Sequence, residues 1–188
     1  MKSLFLIIGA PGSGKSTDAS IIAQKHNDTT IHFSVGELLR LEAKSGSKLG
    51  KIIEEKINAG MLVPVKIAIE TIIKAVDSSD KKIILIDGYP RSIEQMQEFE
   101  RELEKDKTIK LKKVIEVQVS QDTAKQRVLG RNRGDDDKED IFLDRMRIYN
   151  EPLKDIRKFY QDKNLLVQVN GEKTVEEVVK DMEDKIYG

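Results

Sequence analysis

A run of apolar residues leads directly into a glycine-rich loop near the start of the chain. The stretch 4–8 reads LFLII, and the stretch 9–16 reads GAPGSGKS. A buried strand followed by G-x-x-x-x-G-K-S and a helix turns several backbone N–H groups around one anion, while Lys15 brings a mobile ammonium to phosphate oxygens. The helix that opens near Ser16 points the positive end of its dipole at the same anion. A glycine-rich turn without a ligand would not require all of these residues, so the sequence predicts a phosphate-binding loop.

Apolar bursts alternate with helical periodicity along the 188 residues. This alternation is typical of a parallel sheet with helices on both faces, and the length suits one α/β domain with a small insertion. The candidate strands are Leu4–Ile8, Ile31–Phe33, Ile83–Ile86, Val114–Val119 and Leu165–Val169. A hydroxyl three residues before Glu or Gln predicts capped helix starts at Ser34, Ser92 and Thr174.

Two segments depart from this plain alternation. The stretch between the second and third strands has helical periodicity throughout, which predicts a small helical insertion. Its predicted helices cover 35–44, 47–58 and 65–76, with turns at Ser45–Gly46 and Ala59–Gly60. The second segment, 131–140, is short, polar and charged with both signs, so we expect a mobile flap there, followed by a further helix that begins at Arg145.

Charge and composition exclude several classes of protein. The chain has 33 basic and 33 acidic residues, so no global field draws it to nucleic acid or to a membrane surface. It has no cysteine, which excludes disulfides and cysteine-ligated zinc. It also has neither a signal-peptide pattern nor an apolar run of about 18 residues. We therefore expect a cytoplasmic protein with no nucleic-acid or membrane partner.

A second motif, Asp87-Gly88-Tyr89-Pro90-Arg91, directly follows the third candidate strand. A carboxylate at the C-terminal end of a parallel strand stands beside the phosphate-binding loop, where it can hold Mg²⁺ directly or through water. Gly88 allows close backbone approach, and Arg91 presents a planar fork suited to a second phosphate. A strand-end turn with a surface arginine is the alternative, and the phosphate-binding loop makes it the weaker one.

Arginines form the third group of interest. Arg127, Arg131, Arg133 and Arg145 follow the fourth candidate strand, and Arg40 and Arg91 lie earlier in the chain. Phosphoryl transfer spreads negative charge over three oxygens, so converging guanidiniums are what this chemistry needs. Each arginine alone is better explained as a solvated or salt-bridged surface residue. The prediction of phosphoryl transfer therefore depends on the arginines as a group and on no single one of them.

Together these motifs resemble those of adenylate kinases, nearly from end to end. The matching stretches are GAPGSGK at 9–15, FSVGELLR at 33–40, DGYPR at 87–91 with Gln95, and the arginine-rich flap. The resemblance implies an α/β fold of the P-loop NTPase type, a five-stranded parallel sheet with helices on both faces, a helical NMP-binding insertion and a short lid. It also implies one domain, with the insertion at 34–63, the lid at 131–141 and the core at 1–33, 64–130 and 142–188.

The resemblance implies a kinase of nucleotide biosynthesis. Its reaction would be the reversible, Mg²⁺-dependent transfer of the terminal phosphoryl group of ATP to AMP, giving two ADP and serving adenine nucleotide homeostasis. A monomer is the default for such an enzyme. UMP/CMP kinase with ATP as donor is the alternative within the same superfamily.

The resemblance also assigns residues to each substrate. ATP is expected at Gly12, Ser13, Gly14, Lys15, Ser16, Thr17, Arg127, Arg131, Gly171 and Lys173. AMP is expected at Val35, Arg40, Met61, Leu62, Val63, Gly88, Tyr89, Pro90, Arg91, Gln95, Arg133 and Arg145. The groups expected to act on the transferring phosphoryl are Lys15, Arg91, Arg131, Arg133 and Arg145. Mg²⁺ is expected at Ser16 and Asp87, largely through water, while Asp136 and Asp137 are expected to bridge lid arginines.

Several positions depart from the family pattern. Only thirteen residues separate Arg131 from Arg145, which leaves no room for the four-ligand zinc lid of longer relatives, so no zinc is expected. Ser16 stands where adenylate kinases usually carry glycine. Val35 stands where they usually carry threonine, and the stretch 62–65 resembles UMP/CMP kinases. Gln95 favours AMP, because the pyrimidine enzymes usually have asparagine there.

A non-enzymatic nucleotide switch of the GTPase type is the alternative from another functional class. It requires an Asn-Lys-x-Asp guanine-reading motif and an Asp-x-x-Gly switch motif, and the sequence contains neither. The two histidines, His26 and His32, fit no metal-ligand spacing, so both are interpreted as structural or surface residues.

Overall fold

The computed structural model describes residues 1–59, 61–130 and 138–188, and within these ranges five parallel strands form one sheet. The strands are β1 (Lys2–Gly9), β2 (Thr30–Ser34), β3 (Ile83–Asp87), β4 (Ile109–Gln118) and β5 (Leu166–Asn170), in the spatial order β2-β3-β1-β4-β5. All five predicted strands are confirmed. Because the strands are parallel, their carboxyl ends meet at one edge of the sheet, where ligands of open α/β sheets bind.

Eight helices accompany the sheet in the described part of the chain. They are α1 (Lys15–Lys25), α2 (Val35–Lys44), α3 (Lys48–Asn58), α4 (Val65–Ser78), α5 (Ile93–Lys105), α6 (Gln121–Leu129), α7 (Glu139–Asp162) and α8 (Val175–Tyr187). The three helices predicted between the second and third strands are confirmed within two residues at each end. None of the described helices combines the length and apolarity needed to span a bilayer.

The helix predicted to begin at Arg145 begins six residues earlier. Glu139 and Asp140, placed in the flap by the sequence, form the acidic first turn of α7, where carboxylates are favoured by the positive end of the helix dipole. Of the remaining predicted flap, Lys138 is the N-cap of α7, and 131–137 lies outside the described residues.

The side chains of β1 divide the core between the two faces of the sheet. Leu4, Leu6 and Ile8 face a cluster built with α2, α4, α5 and the C-terminal half of α7. Phe5 and Ile7 face a second cluster built with α1 and α8. Successive residues of a strand point to opposite faces, so a strand buried on both sides is apolar throughout. The prediction of helices on both faces is confirmed.

β4 begins at Ile109, five residues before the predicted start at Val114. Its first half is rich in lysine, and this is why the search for apolar runs missed it. Its pairing with β1 shifts register between Leu4 and Phe5, whose partners are Leu111 and Lys113, so Lys112 is an extra residue in the ladder. β5 joins only from Val114 onward, which leaves the lysine-rich half on an open edge. Lysines and bulges protect such edges against pairing with other chains.

The three predicted helix caps have different outcomes. Thr174 and Glu177 form a complete capping box at the start of α8. Ser92 accepts a hydrogen bond from the backbone N–H of Gln95, whose side chain has another partner. At Ser34 the predicted side-chain cap is wrong: the residue precedes α2, but its hydroxyl makes no capping bond.

Candidate active site

The phosphate-binding loop joins β1 to α1 and depends on its glycines. Gly12 and Gly14 have φ angles of 84° and 93°, which side chains of L-residues rarely adopt. A Cβ on Gly12 would also lie 2.4 Å from the carbonyl oxygen of Ala124 on α6. The ammonium of Lys15 donates to the carbonyl of Ala10 across 3.4 Å, so it lies over the loop. The loop thus has the geometry that the sequence predicts for a phosphate site.

Asp87, at the end of β3, lies beside this loop. Its Oδ1 accepts a hydrogen bond from the Ser16 hydroxyl at 3.0 Å, and its Oδ2 lies 2.5 Å from Nε2 of His32. β3 is the central neighbour of both β1 and β2, which brings the three side chains together. The predicted proximity of Asp87 and Ser16 is confirmed, and they are joined by His32, which the sequence analysis interpreted only as a structural or surface residue.

The carboxyl of Asp87 is almost completely buried, yet its pKa lies below the ordinary value. Burial alone would raise the pKa. The hydrogen bond with His32, the charges of Lys15 and His32, and the hydrogen bond from Ser16 together outweigh burial and lower it. Asp87 is therefore a carboxylate at neutral pH and a suitable oxygen donor for a divalent cation.

Arginine side chains converge on the N-terminus of α2. A Cβ built on Gly36 would lie 3.4 Å from Nη1 of Arg40 and 3.5 Å from Nη2 of Arg91, so the two guanidiniums are neighbours. Arg91 is exposed as a residue, but desolvation of its guanidinium by the surrounding atoms, and then the charge of Arg145, lower its pKa, while Asp87 opposes the shift and Arg40 adds to it. Two guanidiniums beside a helix N-terminus, with the charge of Arg145 acting on one of them, form a candidate site for an anion.

Arg127 connects two parts of the predicted ATP site. Its guanidinium donates to the carbonyl of Ser13 in the phosphate-binding loop at 3.4 Å and to the carbonyl of Gly171, after β5, at 3.1 Å. Gly171 has no room for a side chain, because a Cβ there would lie 2.8 Å from Val117 and Val119. Lys173 forms an ion pair with Asp181 across 2.7 Å on the surface of α8. The structure thus brings Arg127 and Gly171 together, as predicted.

The predicted AMP side has a buried part and an exposed part. The Oε1 of Gln95 accepts from the backbone N–H of Arg91 at 2.7 Å, which leaves its amide NH₂ as the group for a ligand. Tyr89 as a whole residue is 1% exposed, and its hydroxyl donates to the carbonyl of Gln95, so its ring packs in the core rather than at an open surface. Val35 and Val63 are buried in the core, whereas Met61 is exposed.

The backbone turn at Gly88 lies against the arginine cluster. Gly88 has a φ of 77°, and a Cβ there would lie 3.1 Å from Nη2 of Arg91, whose Nε donates to the Gly88 carbonyl at 2.8 Å. The turn therefore fixes the direction of the Arg91 guanidinium. Four residues with predicted roles, Arg131, Arg133, Asp136 and Asp137, lie outside the described residues.

Sequence reasoning missed a buried carboxylate beneath the phosphate-binding loop. Asp18, in the first turn of α1, is 3% exposed, and its Oδ2 would lie 3.1 Å from a Cβ on Gly14. Burial raises the pKa of Asp18 to about 6, against the opposing charge of Arg127. The sequence could have indicated this residue, because Asp18 lies about one helical turn after Lys15 in α1, where a side chain faces the phosphate-binding loop.

Comparison with known proteins decides the family. The adenylate kinase family model matches residues 7–165 of the chain. The chain belongs to the adenylate kinase family. Its relatives include adenylate kinases of Nitratiruptor sp. (54% identical, covering 99% of this chain and 96% of the relative), Campylobacter fetus (55%, 99% and 97%) and Helicobacter pylori strain G27 (53%, 99% and 97%). Adenylate kinases are phosphotransferases, so the chain is an enzyme, a kinase that uses ATP as its phosphoryl donor.

Magnesium fits the donor set of this adenylate kinase site. Ser16 and Asp87 offer a hydroxyl and a carboxylate within 3.0 Å of each other, and Mg²⁺ in phosphotransferases takes one or two such oxygens together with substrate phosphates and water. Over the ranges that the structure describes, no three His, Asp or Glu side chains cluster as a protein-only metal site.

Proposed function

We propose that this cleft transfers the terminal phosphoryl group of ATP to AMP, reversibly and with Mg²⁺, giving two molecules of ADP. The observation that carries the proposal is the convergence of the phosphate-binding loop, Asp87 and the arginine cluster at the carboxyl edge of the sheet. ATP:AMP phosphotransfer is the activity that the family match and the full-length relatives support. The site then needs two phosphate-binding halves that face each other.

The donor half is the phosphate-binding loop with the segment after β5. Backbone N–H groups of the loop and the ammonium of Lys15 bind the ATP phosphates; the residues with this role are Gly12, Ser13, Gly14, Lys15, Ser16 and Thr17. Arg127, already bonded to Gly171, covers the nucleotide, and the backbone near Gly171 and Lys173 borders its base. These contacts position the γ-phosphoryl group, which is most of what catalysis of phosphoryl transfer requires.

The acceptor half is the arginine cluster with the residues around it. Arg40, Arg91 and Arg145 bind the AMP phosphate and neutralise the charge that develops on the transferring group. Gln95 meets the adenine edge through its amide, and the other residues of this half are Val35, Met61, Leu62, Val63, Gly88, Tyr89, Pro90 and Arg133. The roles of Arg131 and Arg133 in the lid remain predictions from the sequence.

Mg²⁺ would be held by Ser16 and Asp87 beside the ATP phosphates. It supplies charge neutralisation to the phosphate oxygens when bound. The protein's part is to keep Asp87 ionised and aimed, through His32 on one oxygen and Ser16 on the other. We also propose that the enzyme needs no zinc.

Closure of the insertion (34–63) and the lid (131–141) over the core belongs to this proposal. A closed cleft excludes water, which would otherwise hydrolyse the activated phosphoryl group. We further propose that the enzyme works as a cytoplasmic monomer on ATP, ADP and AMP alone, with no membrane or nucleic-acid partner. Size-exclusion chromatography with light scattering tests the oligomeric state: a mass near 21.3 kDa supports the monomer, and twice that mass contradicts it.

A coupled assay with AMP, CMP, UMP and GMP as acceptors tests the activity. We expect AMP to give the highest kcat/KM, and Lys15→Met to lower kcat by roughly two to three orders of magnitude, the usual cost of losing a charge that acts on the transition state. The matched control is Lys180→Met, an exposed lysine on α8. A Lys15→Met enzyme as active as the control would contradict the phosphate-binding role of the loop. A pyrimidine nucleotide preferred to AMP would contradict the assignment of the acceptor.

A further inference from the structure

The long helix α7, which carries Arg145, contains a proline in its interior. Pro152 lies near the middle of Glu139–Asp162. A proline has no N–H to donate to the carbonyl one turn earlier, here that of Ile148, and its ring crowds that carbonyl. Proline is accordingly the commonest cause of a bend in a helix. The two halves of α7 are therefore less firmly joined than those of an uninterrupted helix.

The two halves also pack against different parts of the core. Phe142 and Met146, before the proline, lie in a small cluster with Ala10 of the phosphate-binding loop and with α6. Ile156 and Tyr160, after the proline, lie in the large cluster on one face of the sheet. These apolar contacts therefore hold each half of α7 against a different part of the core and do not fix one half relative to the other.

One buried carboxylate is bonded to both halves. Glu116 on β4 is completely buried, and both its oxygens accept from Nε of Arg157, at 2.9 and 3.0 Å, with a further bond from Nη2. Its Oε1 also accepts from the hydroxyl of Tyr149 at 3.3 Å. Tyr149 precedes Pro152 and Arg157 follows it.

The carboxylate of Glu116 also accepts hydrogen bonds from two glutamine side chains. The side-chain amides of Gln118 and Gln168 donate to its Oε2 at 3.3 and 3.2 Å. A buried carboxylate is tolerated only when it is paired and hydrogen-bonded in this way. Burial, and then the negative charge of Glu116, raises the pKa of Tyr149, so the phenol keeps the proton that it donates.

We propose that Glu116 braces α7 across Pro152 and thereby sets the direction of Arg145. Tyr149 lies one helical turn after Arg145, so a bond that fixes Tyr149 against β4 also fixes the rotation of the turn that presents the arginine. Arg157 anchors the same carboxylate to the other half of the helix. Glu116, Tyr149 and Arg157 are thus positioning residues, and the inference rests on the proposed role of Arg145 in phosphoryl transfer.

Tyr149→Phe cuts the brace on the side of Arg145 and keeps the Arg157–Glu116 pair. We expect kcat to fall about two- to twelvefold, the value of one hydrogen bond, with the KM of ATP nearly unchanged and little loss of melting temperature. A residue that only stabilises the fold would lower the melting temperature and leave kcat in place. An unchanged kcat in Tyr149→Phe therefore overturns the proposal.

A double-mutant cycle with Pro152→Ala tests the mechanism of the brace. Alanine restores the missing backbone hydrogen bond and joins the halves of α7, so Tyr149→Phe should cost less than about twofold in kcat in that background. An equal cost in both backgrounds means that the phenol does not act across the proline and overturns the proposal.

Arg145→Lys separates the brace from the proposed function. We expect this variant to lose most of its kcat, and Tyr149→Phe to add little further loss in that background, because both changes act through one guanidinium. An Arg145→Lys enzyme with normal kcat, beside an inactive Lys15→Met enzyme, overturns the brace and leaves ATP:AMP phosphotransfer standing. A natural enzyme that transfers no phosphoryl group from ATP to AMP would instead overturn the proposed function.

Discussion

The imidazole of His32, in the middle of β2, lies beside the carboxylate of Asp87, at the end of the neighbouring strand β3, with Nε2 of the histidine 2.5 Å from Oδ2 of the aspartate. The other oxygen of Asp87 accepts from Ser16 in the phosphate-binding loop. The histidine therefore fixes the orientation of the carboxylate from the side opposite the loop. Partners of this kind orient metal-binding carboxylates and raise the affinity of the site.

Loss of the His32 contact should weaken the response to magnesium. In His32→Ala we expect the free Mg²⁺ concentration for half-maximal velocity to rise about two- to twelvefold, the worth of one hydrogen bond, at saturating ATP and AMP. His32→Asn keeps a hydrogen-bond donor, so its Mg²⁺ concentration for half-maximal velocity should lie between those of the natural enzyme and His32→Ala. The measurement is the initial velocity against free Mg²⁺, with melting temperatures recorded alongside. A lower melting temperature with an unchanged Mg²⁺ response would show a role in folding alone.

Asp18 should make the nucleotide-free enzyme less stable as the pH rises. Its folded pKa is about 6, against 3.8 for an ordinary aspartate, so the unfolded chain ionises first and stability falls between these values. Above pH 6 the loss is constant, on the order of 1 to 3 kcal/mol. Asp18→Asn should therefore raise the free energy of unfolding at pH 7.5 and have a much smaller effect near pH 4.

Urea unfolding of the nucleotide-free protein at several pH values measures this effect. The matched control is Asp155→Asn, an exposed aspartate on α7, whose effect should not vary with pH in the same way. An Asp18→Asn protein no more stable than the natural one at pH 7.5 would mean that the buried carboxylate costs nothing.

Gln95 and Val35 should affect the use of AMP in opposite directions. Gln95→Ala removes the acceptor of the Arg91 backbone N–H as well as the amide that would meet adenine, so kcat/KM for AMP should fall by about tenfold or more. Val35→Thr adds a hydroxyl and should strengthen AMP binding by no more than about tenfold, with little change in kcat. Steady-state kinetics with varied AMP at fixed ATP measure both. A larger gain from Val35→Thr than the loss from Gln95→Ala would contradict these roles.

Patterns of residues adjacent in sequence predicted the strands, most of the helices and the phosphate-binding half of the candidate site. The strands β1 and β3 are short apolar runs, and the loop between β1 and α1 is defined by residues adjacent in sequence, so both could be read directly. Asp87 was predicted beside Ser16 because parallel strands end at one edge of the sheet. Such inferences depend on spacing within a few residues and on one rule of topology.

The rest depends on contacts between residues distant in sequence. His32 meets Asp87 only because β2 lies next to β3 in a register that no local pattern gives. Glu116 and Arg157 are separated by 41 positions, and neither stands in a motif. The start of α7 was misplaced because its first turn is acidic, and acidic residues suit both a polar flap and a helix N-terminus.

Calorimetry with an analogue that joins two adenosines through a chain of phosphates tests the central claim most directly, because it asks whether one cleft holds ATP and AMP together. We expect one molecule to bind per chain, at least about a hundredfold more tightly than ATP, since it spans both halves of the site and resembles the transition state. Arg91→Ala should weaken the analogue far more than it weakens ATP. An analogue that binds no better than ATP would contradict a two-nucleotide cleft.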